Sequence, residues 1–352
     1  MFLLRQGLQC RWHYRQSPGL LGRSGVRSFR DSAMKLETDI DMSVKIGELT
    51  LKNPIMPASG TFAEGLSQVM DFDRLGAIVT KTVTREVRAG NPTPRVVERP
   101  NSMINAIGIP SKGVAHFVEK IIPLYAHLST PLVVSISAPT ADGFACLARD
   151  LSLPGVAAIE ANISCPNIEE DGKAFAMNAD STATVTRALR AATDLPLWIK
   201  LTPNTGDMPA VARAGEAEGA DALVVANTIL SMAIDLKTFK PSLGNVMGGL
   251  SGPAVKPIVL RQVFQCANAV DIPIIGCGGI SSAEDVIEYM LAGARAVQVG
   301  TATFLQPNIM PRIIEDLQAF CYHRQINRAS ALTGALLIEE ADESDLSWLD
   351  PQ

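Results

Sequence analysis

Short runs of apolar, β-branched residues recur along this chain, each followed by a longer stretch with helical spacing. The runs cover residues 55–58, 77–81, 132–136, 156–163, 197–201, 222–226, 272–276 and 296–300. Helical patterns fill residues 113–128, 174–193, 208–219, 254–269, 283–292 and 309–321. The runs are continuous rather than alternating, as expected of strands covered on both faces in a parallel sheet. Eight such units predict an α/β fold of the (β/α)8 TIM-barrel type. A doubly wound sheet would want a G-x-G-x-x-G turn after an early strand, and no such turn is found.

Two stretches depart from this beat. Residues 44–51, with a Gly-Glu turn, read as an N-terminal β-hairpin ahead of the first barrel strand. Between Lys81 and Gly113 three prolines precede Asn101 and no helical period is visible. A long irregular insertion in a compact domain is usually functional, and this one is expected over the C-terminal mouth of the barrel.

Composition narrows the class. Apolar residues make up 47% of the 352, charged residues 19%, and mean hydropathy is +0.17, the profile of a chain with a large core. No apolar run is long enough to predict a membrane helix. Residues 1–30 contain six arginines and no acid, whereas the rest of the chain is acidic within a total of −5. An acidic body argues against nucleic acid as a partner. The division expected is a basic extension over 1–41, a barrel over 42–342 and an acidic tail over 343–352. The extension has the composition of a mitochondrial transit peptide, or lies upstream of a true start at Met42. Cys10, Cys146, Cys165, Cys266, Cys277 and Cys321 form no C-x-x-C pair, so no metal site is expected. Scattered thiols fit a reducing, cytoplasmic compartment, or a mitochondrial one if the extension is a transit peptide.

Barrel enzymes keep their chemistry at the C-terminal strand ends. Those ends here carry Ser59-Gly60, Lys81-Thr82, Ser135 and Ser137, Asn162 to Asn167, Lys200, Asn227-Thr228, Gly278-Gly279 and Gly300-Thr301. Glycine turns after strands seven and eight, with a helix starting near Ser282, point to a phosphate site made of backbone N–H groups and a helix dipole. Lys81 and Lys200 follow apolar strand residues, and lysines in such places are rare unless an anion pairs with them. Cys165 lies in a Ser-Cys-Pro-Asn loop, where a thiolate could act as general base. No histidine lies at a predicted strand end, so Cys–His nucleophilic catalysis lacks its partner.

Several motifs together resemble class 1 dihydroorotate dehydrogenases, most of all the class 1B catalytic subunit. They are residues 52–60 (Lys-Asn-Pro-Ile-Met-Pro-Ala-Ser-Gly), 105–109 (Asn-Ala-Ile-Gly-Ile), 162–167 (Asn-Ile-Ser-Cys-Pro-Asn), Asn227-Thr228, 234–238 and 248–253, with the two glycine turns. The resemblance implies an FMN-dependent barrel that oxidises (S)-dihydroorotate to orotate in pyrimidine biosynthesis. Cys165 then matches the base that takes a proton from C5 while hydride leaves C6 for flavin N5. Lys81, Asn105, Ala106, Ile107, Gly108, Ile109, Asn162, Asn167, Asn227 and Thr228 match substrate-binding positions. Ser59, Lys81, Thr82, Asn162, Lys200, Ala226, Gly252, Gly278, Gly279, Gly300 and Thr301 match positions that hold FMN, with Lys200 placed to balance negative charge on reduced flavin.

The chain departs from this pattern at Ser135, where the family usually has an asparagine touching flavin; a hydroxyl there loses the contact or passes it through water. The class 1B likeness also implies a partner subunit carrying FAD and a [2Fe–2S] cluster that delivers electrons to NAD⁺, around a homodimer of catalytic subunits in a heterotetramer. Two other enzymes remain open: a dihydropyrimidine dehydrogenase-like barrel that reduces uracil or thymine, and a class 1A-type enzyme passing electrons to fumarate. Asn167, where the dihydropyrimidine enzymes typically have histidine, favours orotate.

Overall fold

A computed structural model describes residues 40–164 and 174–338. Eight parallel strands form one sheet, in the order β1-β8-β7-β6-β5-β4-β3-β2. They are β1 (Ile55–Pro57), β2 (Ile78–Val79), β3 (Leu132–Ile136), β4 (Ala158–Asn162), β5 (Leu197–Lys200), β6 (Ala222–Val225), β7 (Ile274–Gly276) and β8 (Ala294–Val299). Each falls within or beside a run expected from the sequence, and the (β/α)8 barrel is confirmed.

The strands separate two cores. Ile159, Leu197, Ile199, Leu223 and Val297 face outward and pack with helices α1 (Ala141–Leu151), α2 (Ala179–Arg190), α3 (Met208–Ala217), α4 (Lys256–Ala267), α5 (Ala283–Leu291) and α6 (Ile309–His323). Their alternates, among them Met56, Val79, Val133, Ala158, Trp198, Val224, Ile275 and Ala296, fill the barrel interior. Both faces are buried, which is why the runs lack polar alternation. The hairpin of Val44–Ile46 and Leu49–Leu51 supplies Val44, Ile46 and Leu51 to the interior cluster.

Closure between β1 and β2 rests on a close approach rather than a ladder. The Gly76 N–H donates to the Ile55 carbonyl at 2.9 Å. Asn53 braces the same corner, accepting from the Ile55 N–H at 3.1 Å and donating to the Arg74 carbonyl at 2.8 Å. A Cβ on Gly76 would stand 2.0 Å from the Asn53 carbonyl oxygen, so only glycine lets the chain pass there.

The insertion after β2 is more regular than its prolines suggested. Val96–Arg99 and Ser102–Asn105 form a hairpin within a four-stranded antiparallel sheet with Ile229–Met232 and Met247–Ser251. These last two come from an excursion after β6 that shows no strand pattern by itself. Short strands leave little local signal, and Met247–Ser251 joins the insertion only through its pairing with Ser102–Asn105, more than a hundred residues earlier. The sheet buries Ile104, Ala106, Ala233 and Leu243.

Replacing Gly76 with alanine should destabilise the protein by the upper end of about 1–3 kcal/mol, because backbone must move. Equal urea denaturation midpoints for the two proteins would remove Gly76 from closure.

Candidate active site

A cavity of about 540 Å³ opens at the C-terminal ends of the barrel strands, with Met103, Asn105, Leu250 and Ser251 of the antiparallel sheet in its wall. That volume is ordinary for a bound cofactor or small molecule. The insertion therefore lies over the barrel mouth, as expected.

The floor is charged. Lys200, the last residue of β5, points inward and is 4% exposed. Its Nζ donates to Gln298 Oε1 at 2.8 Å, and Gln298 Nε2 donates in turn to Glu160 Oε2. Glu160 Oε1 lies 3.8 Å from Nζ. Burial works against the ammonium, but Cys277 and Glu160 offset it, and the Lys200 pKa is raised overall. Burial dominates at Cys277 and pushes its thiol up despite the lysine. Cys277 therefore stays protonated at neutral pH, which leaves Glu160 as the countercharge. Reasoning from sequence missed Glu160 and Gln298. Their signal was a polar residue at every second place before a strand end: 160 before Asn162, and 298 before Gly300.

The walls carry most of the expected residues. Lys81 is partly buried, donates to the Gly60 carbonyl at 3.0 Å, and makes no ion pair among the described residues. Burial lowers its pKa, so a bound anion would strengthen its charge. Asn227 Nδ2 donates to Asn162 Oδ1 at 3.1 Å and the Asn227 Oδ1 accepts from the Thr228 N–H at 2.8 Å. Ser137 Oγ donates to the Asn162 carbonyl and Ser164 Oγ to the Lys200 carbonyl, tying the tops of β3, β4 and β5 beyond the ladders. Thr228 packs on Gly249, where a Cβ would sit 1.9 Å from the threonine Oγ1. Ser59, Thr82, Asn105, Ile107, Gly108, Ile109 and Ala226 also line the cavity.

Four expected residues stand apart. Cys165 and Asn167 lie outside the described residues. Ser135 is fully buried with its hydroxyl 3.0 Å from Thr82 Oγ1, and it is not part of the lining. Thr82 occupies the wall in its place. Ala106 is likewise buried behind the lining, in the core of the antiparallel sheet.

The far end of the cavity suits an anion. The N–H groups of Gly278, Gly279, Gly300 and Thr301 have no acceptor among the described residues. Tyr289 Oη donates to the Gly278 carbonyl at 2.6 Å; in a trans peptide this turns the Gly279 N–H the opposite way. Thr301 Oγ1 donates to Ser251 Oγ at 2.8 Å and joins this loop to the covering sheet. The expected helix dipole does not contribute in the way proposed from sequence. The α5 N-terminus is capped by Ser282 and by Asp285, whose Oδ2 accepts from the Ser281 and Ser282 N–H groups at 2.8 and 3.1 Å. Its own carboxylate already answers the positive end, which leaves the loop amides as the free donors here.

The family model described as Dihydroorotate dehydrogenase matches residues 41–321. The chain belongs to the dihydroorotate dehydrogenase family. It is 49% identical to the "Dihydroorotate dehydrogenase B (NAD(+)), catalytic subunit" of Trichlorobacter lovleyi over 298 residues, covering 84% of this chain and 98% of the relative. Proteins of the same name from Desulforamulus reducens and a Thermoanaerobacter species are 47% and 42% identical, covering 84% and 85% of this chain and 98% and 100% of the relatives. Members of this family are flavin-dependent oxidoreductases. The cavity fits such a cofactor, with free amides for a phosphate at one end and two buried or half-buried lysines toward the other.

Burial raises the Asp285 pKa, but Lys256 and the Ser281 hydrogen bonds outweigh it and the net shift is downward. The stabilisation it gives is therefore present above the ordinary value of 3.8 and fades as pH falls through its lower folded value. Asp285→Asn should cost about 2 kcal/mol at pH 7, with the gap to the parent closing under acid conditions. A gap that persists unchanged at pH 3 in urea melts would show that the carboxylate's charge is not what stabilises the loop.

Proposed function

We propose that this chain is the FMN-dependent catalytic subunit that oxidises (S)-dihydroorotate to orotate in pyrimidine biosynthesis. The observation that carries the reading is a single cavity joining an amide-lined anion end to a cationic, asparagine-lined end. Bound FMN supplies a two-electron acceptor with an anionic phosphate tail. We assign the phosphate to the N–H groups of Gly278, Gly279, Gly300 and Thr301, with Ser59, Thr82, Ala226 and Gly252 along the remaining wall.

The substrate is a small ring with a carboxylate. Lys81 offers that carboxylate a cation with no competing ion pair among the described residues. Asn162, Asn227 and Thr228 give donors and acceptors for the ring amides, joined by Asn105 and the backbone of 107–109. Gly108 and Ile109 both have positive φ, +78° and +49°, which is costly for a β-branched residue and turns this backbone sharply at the cavity wall. Cys165 follows Ser164, a lining residue, and we assign it the C5 proton; Asn167 completes the substrate set. Lys200 holds a fixed positive charge on the floor.

The names of the relatives, each a catalytic subunit of an NAD⁺ enzyme, support electron exit through a separate subunit, to which we assign FAD and a [2Fe–2S] cluster. We place that partner on a homodimer of catalytic subunits, in a heterotetramer. The four described cysteines are free thiols, in keeping with a cytoplasmic setting.

Dihydroorotate added without oxygen should bleach the visible flavin absorbance of the purified protein, and dihydrouracil should not; the opposite pattern would overturn the substrate. Reoxidation by partner plus NAD⁺, and not by fumarate, is expected. Cys165→Ser should slow the bleaching by about 10²–10⁴-fold at neutral pH with FMN retained. Lys81→Met should weaken orotate binding by about 10–100-fold, and equal affinity in a spectral titration would free Lys81 of that role.

A further inference from the structure

The barrel floor carries more charge than packing requires. Glu160 is completely buried, yet only one of its carboxylate oxygens is hydrogen-bonded; Oε1 has no hydrogen-bond donor among the described residues. Trp198, its register partner across the β4–β5 ladder, also faces the interior and has an Nε1 with no acceptor among the described residues. An apolar pair would fill this space at less cost, since a buried carboxylate is expensive unless its charge is used. Among the described residues the charge serves one cation. Lys200 Nζ lies 3.8 Å from Oε1 and is held at 2.8 Å by Gln298, the same amide that grips Oε2. Gln298 thus orients both charges at once, and its two ends fix which atoms they present.

We propose that Glu160 is a positioning residue for the flavin site, pinning Lys200 as a permanent cation on the cavity floor both directly and through Gln298. The proposal rests on the FMN reading above. Among the described residues the titratable groups beside Lys200 are Cys277 from the end of β7 and Glu160 from β4. With Cys277 held as a thiol by its own burial, Glu160 is the one carboxylate paired with the ammonium among the described residues, 3.8 Å from Nζ. Flavin becomes more negative when reduced, so a nearby lysine holds its proton more firmly then. With Glu160 in place Lys200 is charged in both oxidation states, and reduction draws no proton to it. Without Glu160, burial loosens that proton while flavin is oxidised, and reduction restores it.

The test is the midpoint potential of bound FMN between pH 6 and 10, by dye equilibration, in wild type and Glu160→Gln holoprotein. Glu160→Gln keeps the shape and the Gln298 contact. Its potential is expected to fall more steeply than that of wild type over an alkaline stretch, by one further proton for two electrons. That is a tenfold change per pH unit, about 30 mV for a two-electron couple. A purely structural role would lower FMN occupancy or melting temperature and leave the slope unchanged, and a slope that tracks wild type overturns the proposal. If Glu160→Gln does not fold, Gln298→Leu cuts the bridge while leaving the carboxylate, and the same steepening is expected at higher pH; a wild-type slope there also overturns it. Wild-type protein that neither contains nor takes up FMN would refute the underlying reading instead, which keeps the two failures distinct.

Discussion

A lysine ammonium taken out of water inside a barrel must be balanced, and much of this site follows from how that is done. Lys200 lies under the cavity with Glu160 as countercharge and Gln298 as the brace between them. Desolvation strengthens every charge in such a place, so a cation there acts on a ligand more strongly than any surface lysine could. It also makes an unbalanced charge costly, which explains why carboxylate and amide accompany the lysine into the interior.

The two faces of the strands divide the work. Outward residues such as Ile159, Ile199 and Val297 pack with the helices and hold the barrel together. Inward residues combine apolar side chains such as Trp198 and Val224 with the buried polar set of Glu160, Lys200 and Gln298. The opening hairpin adds its apolar side chains to the interior. Rigid strands hold the reactive layer in place while loops and the antiparallel sheet shape what enters.

That sheet joins parts of the chain with little in common. Residues 96–105 come from the insertion after β2 and 229–251 from the excursion after β6, and they pair through Ser102–Asn105 with Met247–Ser251. Ser251 then meets Thr301 at the anion end. One continuous framework therefore touches both the cavity-lining Asn105 and the loop after β8, so the two ends of the cavity are held by a shared element.

The local pattern alone determined the eight strands, their double burial, the hairpin and the polar rim, because period, apolar content and glycine turns are properties of neighbouring residues. The rim residues Lys81, Asn162, Lys200, Asn227, Gly279 and Thr301 were legible for that reason, and the cavity unites them. At Ser135 the shorter hydroxyl stays behind the wall, hydrogen-bonded to Thr82, which lines the cavity instead; which of two neighbouring hydroxyls reaches the cavity is not set by position along a strand. Only the closed barrel decided that Glu160, Lys200 and Gln298, from three strands, would meet, since strand order and stagger depend on long-range pairing. The same holds for the four-stranded cover. A strand pattern shows which side chains point inward, but what they find there is set by the other strands.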